Sequence, residues 1–517
     1  MQHLEFVEKK AIMYTVMAVL FFSAVNQTIV GTSLPKIVSS LGGMEYFNWV
    51  FTIFMLTSSI ASLLAGKLSD IYGRKPFFIF GIIVLIIGSL LCGFSNSMLQ
   101  LIIFRAIQGI GAGIIISLSF TSVGDLFVAR ERGKWQGRLT SIFGLSSLIG
   151  PTIGGYIVDH FDWHWIFWIF MPLGLIALFV MMKYYPKKEN VDHIHPVDYL
   201  GIITFTIFSS FLLYYLTIIG TEPISIKREM FLIISIIFFI SFCLTEWKAM
   251  DPVIPLYLFK RNTFSISNIV SFFLGMGMFS VVIYIPFYMQ GVMQISASMS
   301  GIAMMFMTLS LVTASSLSGN LITKLGKYKL IGKIGILIMA LGMYSLSLLE
   351  INAGFLNIIF RLIVFGVGLG ISFTVFTLAV QFEVKNNQLG VAVSTVQLFR
   401  QFGGTIGASL FSGIFSMLLK IRINNLTDSI DIKNTPSTGI QILGNPKILL
   451  NHNLLFKLTS TLSGDILLKV DNIILALRNE MGAVLNILFF ISTGILFLAL
   501  LFNLFLKEID MDNHSSN

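Results

Sequence analysis

Long apolar runs constrain the fold of this 517-residue chain more than any other feature of its sequence. A helix needs roughly 17 to 25 mainly apolar residues to cross the hydrocarbon core of a bilayer. Fourteen runs meet that requirement, at residues 12–31, 47–66, 76–95, 99–123, 136–158, 163–183, 198–217, 229–247, 264–288, 298–321, 330–350, 355–380, 395–419 and 481–506. Because the backbone finds no water to bond inside the hydrocarbon, such runs predict helices. The predicted fold class is an all-α integral membrane protein with 14 transmembrane helices.

The composition agrees with a membrane protein and argues against an enzyme or a metalloprotein. Hydrophobic residues make up 55% of the chain and charged residues only 11%, which is not the composition of a soluble domain. The two cysteines, Cys92 and Cys243, both lie inside apolar runs, so neither a zinc site nor a disulfide framework is available. The predicted spans hold no cluster of His, Asp and Cys. We therefore expect no metal, no cofactor and no enzymatic activity.

The basic residues predict which side of the membrane each segment faces. The run 12–31 is too long for the apolar part of a cleaved signal peptide, so we expect it to be the first span. Most of the 34 Lys and Arg residues fall in segments on the same side as the N-terminus, and basic segments stay in the cytoplasm. We expect a cell-membrane protein with both termini in the cytoplasm, including a polar tail at 507–517. The net charge of +9 then reports topology, and no nucleic-acid partner is expected.

A long outer segment separates the last two predicted spans, at residues 420–480. Its amphipathic stretch 466–477 predicts either a helix that lies along the outer leaflet or part of a disordered linker.

Three motifs recur along the chain and predict an internal duplication. They pair residues 66–74 with 319–327, 102–105 with 358–361, and 150–154 with 403–407, at offsets of 253 to 256 residues. The repeat predicts an N-terminal six-helix bundle at 1–185, two inserted linker helices at 186–250 and a pseudo-symmetric six-helix bundle at 251–506. Parallel repeats of this kind build transporters that rock around a site near the membrane midplane.

A charged turn between the second and third spans predicts a latch at the cytoplasmic surface. Gly66 and Gly73 allow two helices to approach and turn tightly, while Arg74 and Lys75 hold the turn in the cytoplasm. Asp70 is the acid in this basic stretch, and we expect it to pair. The expected partners follow the fourth span: Asp125, Glu131 and Arg132. The alternative is an ordinary basic loop in solvent.

An arginine lies a few residues inside the fourth span. A guanidinium there costs about 2.5 to 3.5 kcal/mol on insertion scales, so we expect Arg105 to face the protein interior or water. The alternative is that its side chain reaches the outer surface or pairs with a carbonyl. Arg361 is its repeat partner in the second half.

The fifth span combines a proline with several glycines. Pro151 removes a backbone hydrogen bond, and Gly150, Gly154 and Gly155 remove side chains, so the helix can bend and a neighbour can pack closely. This pattern predicts a hinge or a seal, with a passive kink as the alternative.

Together these motifs resemble the major facilitator superfamily, and within it the fourteen-span drug:proton antiporters that include the quaternary ammonium exporters. The turn at 66–75 resembles the signature between spans 2 and 3, residues 105–109 that of span 4, and residues 144–155 the antiporter motif of span 5. Segments 163–167 and 400–404 resemble signatures of the fourteen-span branch. The resemblance covers essentially the whole chain and implies export, but it does not identify the substrate. It implies that span 5 is a gate against leak and that Arg105 and Gln108 take part in proton coupling, and we place Asn26 and Asp125 in the same proton-coupling or transport group. The second-half equivalents of these motifs are Arg361, Arg400, Gly403 and Gly404.

Span 1 departs from the pattern of this branch. Its members usually show Leu-Asp-x-Thr-Ile-Val, whereas residues 25–30 read Val-Asn-Gln-Thr-Ile-Val, so that Asn26 stands where a carboxylate is expected. An amide cannot titrate, and the acids of the spans all lie near span ends. We therefore expect neutral, zwitterionic or anionic amphiphiles rather than dications, while the intact motifs of spans 4 and 5 favour proton coupling.

Aromatic and methionine side chains are candidates for the lining of a hydrophobic cavity. The alternative is that they lie in the core or face lipid. The candidates are Phe22, Phe54, Phe279, Tyr284 and Met304.

The function predicted from the sequence is a secondary active exporter of amphiphilic small molecules. It would be a monomer that contacts membrane lipids and uses the proton gradient. A lipid or glycolipid translocase of the same fold and a non-transporting membrane sensor remain the alternatives.

Overall fold

The computed structural model describes residues 6–30, 33, 37, 40–41, 49–186, 198–218, 225–249, 252, 254, 256–295, 297–385, 388–429 and 465–507. Within these ranges the chain forms helices and no strand. The long helices are α1 (Phe6–Thr28), α2 (Trp49–Tyr72), α3 (Arg74–Gly93), α4 (Met98–Leu126), α5 (Ala129–His160), α6 (Trp165–Trp168 continued by Met171–Tyr184), α7 (Tyr199–Ile218), α8 (Ile226–Lys248), α9 (Asn262–Phe287), α10 (Ala297–Leu325), α11 (Tyr328–Ser347), α12 (Phe355–Glu383), α13 (Leu389–Ser429) and α14 (Asp465–Leu504).

In the described part of the chain, 13 of these helices are long and apolar enough to cross a membrane. The remaining helix, α5, has 32 residues but begins with the charged sequence Ala-Arg-Glu-Arg-Gly-Lys. The predicted all-helical membrane fold is confirmed, and the exact number of 14 spans stays a prediction.

The last two helices extend well beyond the apolar runs that predicted them. Helix α13 continues to Ser429 and α14 already begins at Asp465, so the interpretation of 420–480 as one loop is wrong. Residues 430–464 lie outside the described residues. The stretch 466–477 is the first part of α14 rather than a separate helix on the leaflet. An Arg422–Glu480 ion pair of 2.7 Å joins the two extensions.

Helix packing in the first half of the chain recurs in the second half. In the first half, α1 packs on α4, α5 and α6, while α2 and α3 pack on α4. In the second, α9 packs on α12, α13 and α14, while α10 and α11 pack on α12. Helices α7 and α8 pack on each other, and α7 also contacts α2 and α13. This is the predicted pair of pseudo-symmetric bundles with two inserted helices, and the residue boundaries of its domains stay a prediction.

Glycines on α4 allow three helices to pack closely in the first bundle. A Cβ on Gly109 or Gly113 would collide with the α2 backbone, and one on Gly111 would lie 2.8 Å from the Leu85 Cα of α3. The glycine run after Arg105 therefore serves helix packing.

The two bundles meet along two seams that the repeat relates to each other. One seam joins α2 to α13 and the other joins α10 to α5. Gly66 of α2 packs against the backbone of Gly390, just as Gly319 of α10 packs against that of Gly133. Both seams close at the end of the molecule where α2 turns into α3, which we call the latch end.

The α5–α10 seam opens toward the opposite end. Gly133, Gly137 and Gly155 share one face of α5 because their spacing follows the 3.6-residue helical turn. A Cβ on Gly137 would lie 2.6 Å from the Ser315 carbonyl oxygen of α10, whereas a Cβ on Gly155 would meet nothing within 4 Å. Gly301, at the matching end of α10, is equally open. The bundles therefore diverge away from the latch end.

Replacing Gly133 with valine should force the latch end apart, because its Cβ would collide with the Gly319 backbone. The distance between spin labels at the exposed positions of Lys134 and Lys324, measured in a background without Cys92 and Cys243, should shift to longer values. Gly155→Val is the matched control on the same helix face, where the added side chain has space. An unchanged distance in Gly133→Val would contradict this account of the seam.

Candidate functional site

The turn at the latch end depends on a glycine. Gly73 has φ 90°, a left-handed conformation that favours glycine, and its N–H donates to the Ser69 carbonyl at 3.0 Å. Helix α3 begins at the next residue, Arg74. The repeat partner Gly326 also has a positive φ, 68°, between α10 and α11.

Arg74 is buried at this turn and holds two carboxylates. It forms an ion pair with Asp70, and its Nε donates to Asp125 Oδ2 at 2.8 Å. The structure thus brings together Asp70, Arg74 and Asp125, as the latch interpretation expected. Asp125 was also assigned to proton coupling with Arg105, but it lies 20 residues further along α4, about 30 Å away along the axis. The structure therefore places Asp125 in the latch.

Asp70 also reaches across the seam to the second bundle. Its two carboxylate oxygens accept hydrogen bonds from the N–H groups of Gly390 and Val391, each at 3.2 Å. These are among the first N–H groups of α13, where the helix carries partial positive charge. Sequence reasoning missed both partners because backbone N–H groups carry no signal in a residue pattern.

The other expected latch residues take different positions. Arg132 donates to the carbonyls of Phe127 at 3.1 Å and Gly124 at 2.9 Å, and so holds the turn between α4 and α5. Glu131 is exposed on the first turn of α5, and in the described part of the chain it does not contact Asp70 or Arg74. The predicted pairing of Glu131 is therefore wrong. Lys75 is half-buried beside Arg74.

A second polar cluster is buried between α1, α3 and α4. Arg105 donates to Gln108 Oε1 at 2.5 Å and to the Asn26 carbonyl at 3.0 Å. Gln108 Nε2 in turn donates to Asn26 Oδ1 at 2.9 Å and to Ser89 Oγ at 2.7 Å. The structure thus joins the three residues that the sequence singled out in spans 1 and 4. Arg105 is fully buried, so the alternative that it reaches the surface is wrong, whereas the alternative that it pairs with a carbonyl agrees with its bond to Asn26.

The charge of Arg105 is stabilised by neutral groups. Its Nε also donates to the Val50 carbonyl at 3.3 Å, and its guanidinium lies 4.1 Å from the ring centroid of Phe54. Its Nη2 has no hydrogen-bond partner among the described residues. The Asn26 amide fits this neutral network, because its Nδ2 donates to the Phe22 carbonyl at 2.8 Å. The cluster therefore joins α1, α3 and α4 through fixed polar contacts, and Asn26 cannot exchange a proton.

The span 5 motif packs α5 onto α1 close to this cluster. Thr28 Oγ1 donates to the Ser146 carbonyl at 3.0 Å, and a Cβ on Gly150 would lie 3.1 Å from the backbone nitrogen of Ile29. Helix α5 runs without interruption through Pro151, whose side chain lies outside the described residues. Gly154 is buried. The gate assigned to this motif stays a prediction.

The second half keeps the arginine of span 12 but not the network around it. Arg361 is half-exposed and donates to Asn357 Oδ1 at 2.6 Å and to the Ser345 carbonyl. Its bonds stay with α12 and α11, and the position equivalent to Gln108 is Val364.

Arg400 lies on α13 and reaches toward α12. Its Nη2 donates to Thr377 Oγ1 at 3.2 Å, and its guanidinium carbon stands 3.8 Å from the ring centroid of Phe373. Gly403 and Gly404 pack α13 onto α9, where a Cβ on Gly404 would lie 2.5 Å from the Phe279 ring.

Three of the five cavity candidates are core residues in this conformation. Phe22 packs against Gly174, Phe54 lies under Arg105, and Tyr284 belongs to the core of the second bundle. Phe279 and Met304 are half-buried.

Two glutamines of the described helices bridge the bundles. The sequence did not predict them, because the prediction considered only charged side chains within the spans. Gln381 of α12 donates to the Phe120 carbonyl at 3.1 Å and to Gln136 Oε1 at 3.3 Å. Gln401 of α13 accepts a hydrogen bond from Ser59 of α2. A polar amide inside an apolar run is the signal that could have found them.

Replacing Asp70 with asparagine should open the latch end. The attraction between a charge and a helix terminus reaches about 2 kcal/mol in partly buried sites, so the ratio of closed to open molecules should fall by up to roughly thirtyfold. Spin labels at Tyr72 and Lys385 would report the distance. Asp125→Asn is the matched control, because it also removes a carboxylate from Arg74 but leaves the α13 terminus bound. Equal shifts in both variants would contradict the cross-bundle role of Asp70.

Comparison with known proteins agrees with this architecture. A family model described as Major Facilitator Superfamily matches residues 16–408. The multidrug transporter protein MdtP of Bacillus subtilis (strain 168) is 35% identical over 507 residues, which cover 96% of this chain and 92% of that protein. Multidrug resistance protein 3 of the same organism is 34% identical and covers 83% of each chain.

Solved structures share the fold at low sequence identity. The human organic anion transporter MFSD10 aligns with a TM-score of 0.61 at 13% identity, over 94% of this chain and 99% of that chain. The proton:xylose symporter XylE aligns with a TM-score of 0.60 at 13% identity, over 98% and 99%. At such identity the likeness shows the fold alone. The family model and the Bacillus relatives go further, and with the membrane helices they show that this chain is a multi-pass membrane transporter of the Major Facilitator Superfamily.

Proposed function

We propose that the protein exports amphiphilic small molecules, drugs among them, by alternating access driven by the proton gradient. The bond from Asp70 to the α13 terminus carries this proposal, because it joins the two bundles at one end while the α5–α10 seam is open at the other. A molecule closed at one end and divergent at the other is what alternating access requires of an end state. The names of the Bacillus multidrug relatives support a drug substrate.

The latch end is the cytoplasmic end in this proposal. Lys67, Arg74 and Lys75 lie there, and basic residues favour the cytoplasmic side. The conformation described above is then the outward-facing one, with both chain termini in the cytoplasm of the cell.

Coupling to protons is proposed through the latch carboxylates rather than through span 1. Asn26 cannot titrate, whereas Asp70 joins parts that separate during transport. Protonation of Asp70 would remove its charge from Arg74 and from the α13 N-terminus, and so would weaken the closed latch. A proton that arrives from outside would then favour the inward-facing state, which binds the next substrate. No cofactor is needed, and a monomer suffices because both bundles belong to one chain.

Collapse of the proton gradient should stop export. Inside-out vesicles with an acidic lumen should accumulate a neutral NBD-labelled dodecyl alcohol, and nigericin should return the signal to that of vesicles without the protein. Accumulation that survives nigericin would contradict proton coupling. Failure to accumulate any amphiphile before nigericin is added would contradict export itself.

Replacing Asn26 with aspartate should add export of a cation. The new carboxylate would stand 2.9 Å from Gln108 Nε2 and would supply the negative charge that the amide lacks. Transport of a trimethylammonium analogue of the same dodecyl probe should rise about tenfold, the factor for 1.4 kcal/mol. Asn268→Asp is the matched control: Asn268 is also buried and donates to a carbonyl four residues back, at 2.8 Å. An equal gain in Asn268→Asp, or no gain in Asn26→Asp, would contradict the role assigned to span 1.

A further inference from the structure

We infer that Arg400 binds an anionic oxygen group of the transported amphiphile, in the space between the two bundles. The inference rests on the proposed function, because it takes the bound molecule to be the transported one. It adds the chemical class of that substrate. A carboxylate, sulfonate or phosphate on an apolar body has the chemistry that Arg400 would recognise.

Arg400 lies at mid-depth in the membrane. It stands 11 residues from the first residue of α13, about 16 Å along the helix axis. The hydrocarbon core of a bilayer is about 30 Å thick, so a helix that enters the bilayer near Leu389 carries Arg400 close to the midplane.

The side chain faces the inside of the protein and still reaches open space. It contacts Phe373 and Thr377, which are both buried on α12, so it does not point to lipid. Arg400 itself is half-buried. The next residue, Gln401, bonds to Ser59 of α2 in the first bundle, so this part of α13 lines the boundary between the bundles. The accessible part of Arg400 therefore opens on the inter-bundle space.

Several donors of Arg400 have no acceptor. Its Nη2 reaches Thr377 Oγ1 at 3.2 Å and the Phe373 carbonyl at 3.5 Å, and among the described residues these are its hydrogen bonds. Its Nε is buried without a partner, and no described acceptor reaches Nη1. Arg105, by contrast, donates to three oxygens between 2.5 and 3.3 Å.

No described carboxylate faces Arg400 from the helices packed against α13. Helices α7 and α9 contain no Asp or Glu. On the other neighbours, Asp70, Asp125 and Glu383 stand near helix ends, and Asp465, Asp471 and Glu480 lie in the part of α14 that precedes its apolar run. Glu383 is six residues beyond Thr377, about 9 Å along α12, and its Oε1 lies 4.0 Å from Arg261. An arginine without a counter-charge is costly within a membrane, and an anionic substrate would supply that charge.

Three probes that share an NBD-labelled dodecyl tail and differ only in the head test this inference. The heads are a sulfonate, an alcohol and a trimethylammonium group. Purified full-length protein in nanodiscs should bind the sulfonate with the lowest Kd. Arg400→Gln should raise the Kd of the sulfonate by at least about tenfold and leave those of the other two unchanged, and Arg400→Lys should recover part of the loss.

Arg138→Gln is the matched control. Arg138 also places its guanidinium over an aromatic ring, 4.6 Å from the Trp135 centroid, and its loss should leave all three Kd values unchanged. An equal loss for all three probes in Arg400→Gln would overturn the inference, because it would assign Arg400 to the packing of α12 and α13. A sulfonate that binds no tighter than the alcohol would overturn it as well.

Transport in vesicles separates this inference from the proposed function. If no probe moves although Arg400 still selects the sulfonate, export fails and the binding site stands. If the alcohol is exported but the sulfonate shows no preference for Arg400, export stands and the inference fails.

A further assay with a labelled lipid then identifies whether the anion belongs to a lipid or to a soluble amphiphile. If the protein flips NBD-phosphatidylglycerol and Arg400→Gln abolishes this flipping, the anion is a lipid headgroup. If the protein transports only the sulfonate and Arg400→Gln abolishes that transport, the anion belongs to a soluble amphiphile. Either result supports an anion at Arg400. If Arg400→Gln keeps both activities, the inference is overturned.

Discussion

The carboxylate of Asp70 is the group on which the closed latch end depends, because it binds both halves of the chain at once. It pairs with Arg74 of its own bundle and accepts two N–H groups from the start of α13. The first N–H groups of a helix have no partner within that helix, so Asp70 also satisfies donors that would otherwise be buried and unpaired. The close glycine contact between Gly66 and Gly390 lies directly beside this bond. The charge of Asp70 therefore holds the α2–α13 seam together, and the two glycines allow the helices to approach closely.

Arg105, which is buried, and Arg400, which is half-buried, show two ways to accommodate a cation in a membrane. Arg105 is surrounded by an amide, two carbonyls and an aromatic face, so it is nearly satisfied without an acid. Arg400 has one hydroxyl, one distant carbonyl and one aromatic face. Because donors without acceptors are expensive in low dielectric, the first arginine stabilises a fixed structure, while the second is suited to a group that arrives and leaves.

Much of this could be predicted from the sequence, and the failures have physical causes. Apolar runs located the helices, because hydrocarbon thickness fixes their length, but α13 and α14 continue beyond these runs into polar sequence, where hydrophobicity no longer marks a helix. The motifs of spans 1 and 4 identified Asn26, Arg105 and Gln108, which tertiary packing does bring together. The partners of Asp70 could not be predicted, since backbone N–H groups look alike in every sequence. Glu131 was misplaced because neighbours in sequence can face opposite sides of a helix.

The repeat relates the two seams, yet the charge of Asp70 has no counterpart at the matching position of α10. Thr323 of α10 occupies the position of Asp70, and its hydroxyl donates to the Gly319 carbonyl of its own helix at 2.8 Å. A side chain that satisfies itself cannot hold the opposite helix, so the α10–α5 seam closes by backbone contact between Gly319 and Gly133. Close packing of this kind does not depend on protonation, whereas an ion pair at a helix terminus does. In the transport cycle proposed above, the α2–α13 seam is therefore the one that a proton would release, and the α5–α10 seam is the one about which the bundles would turn.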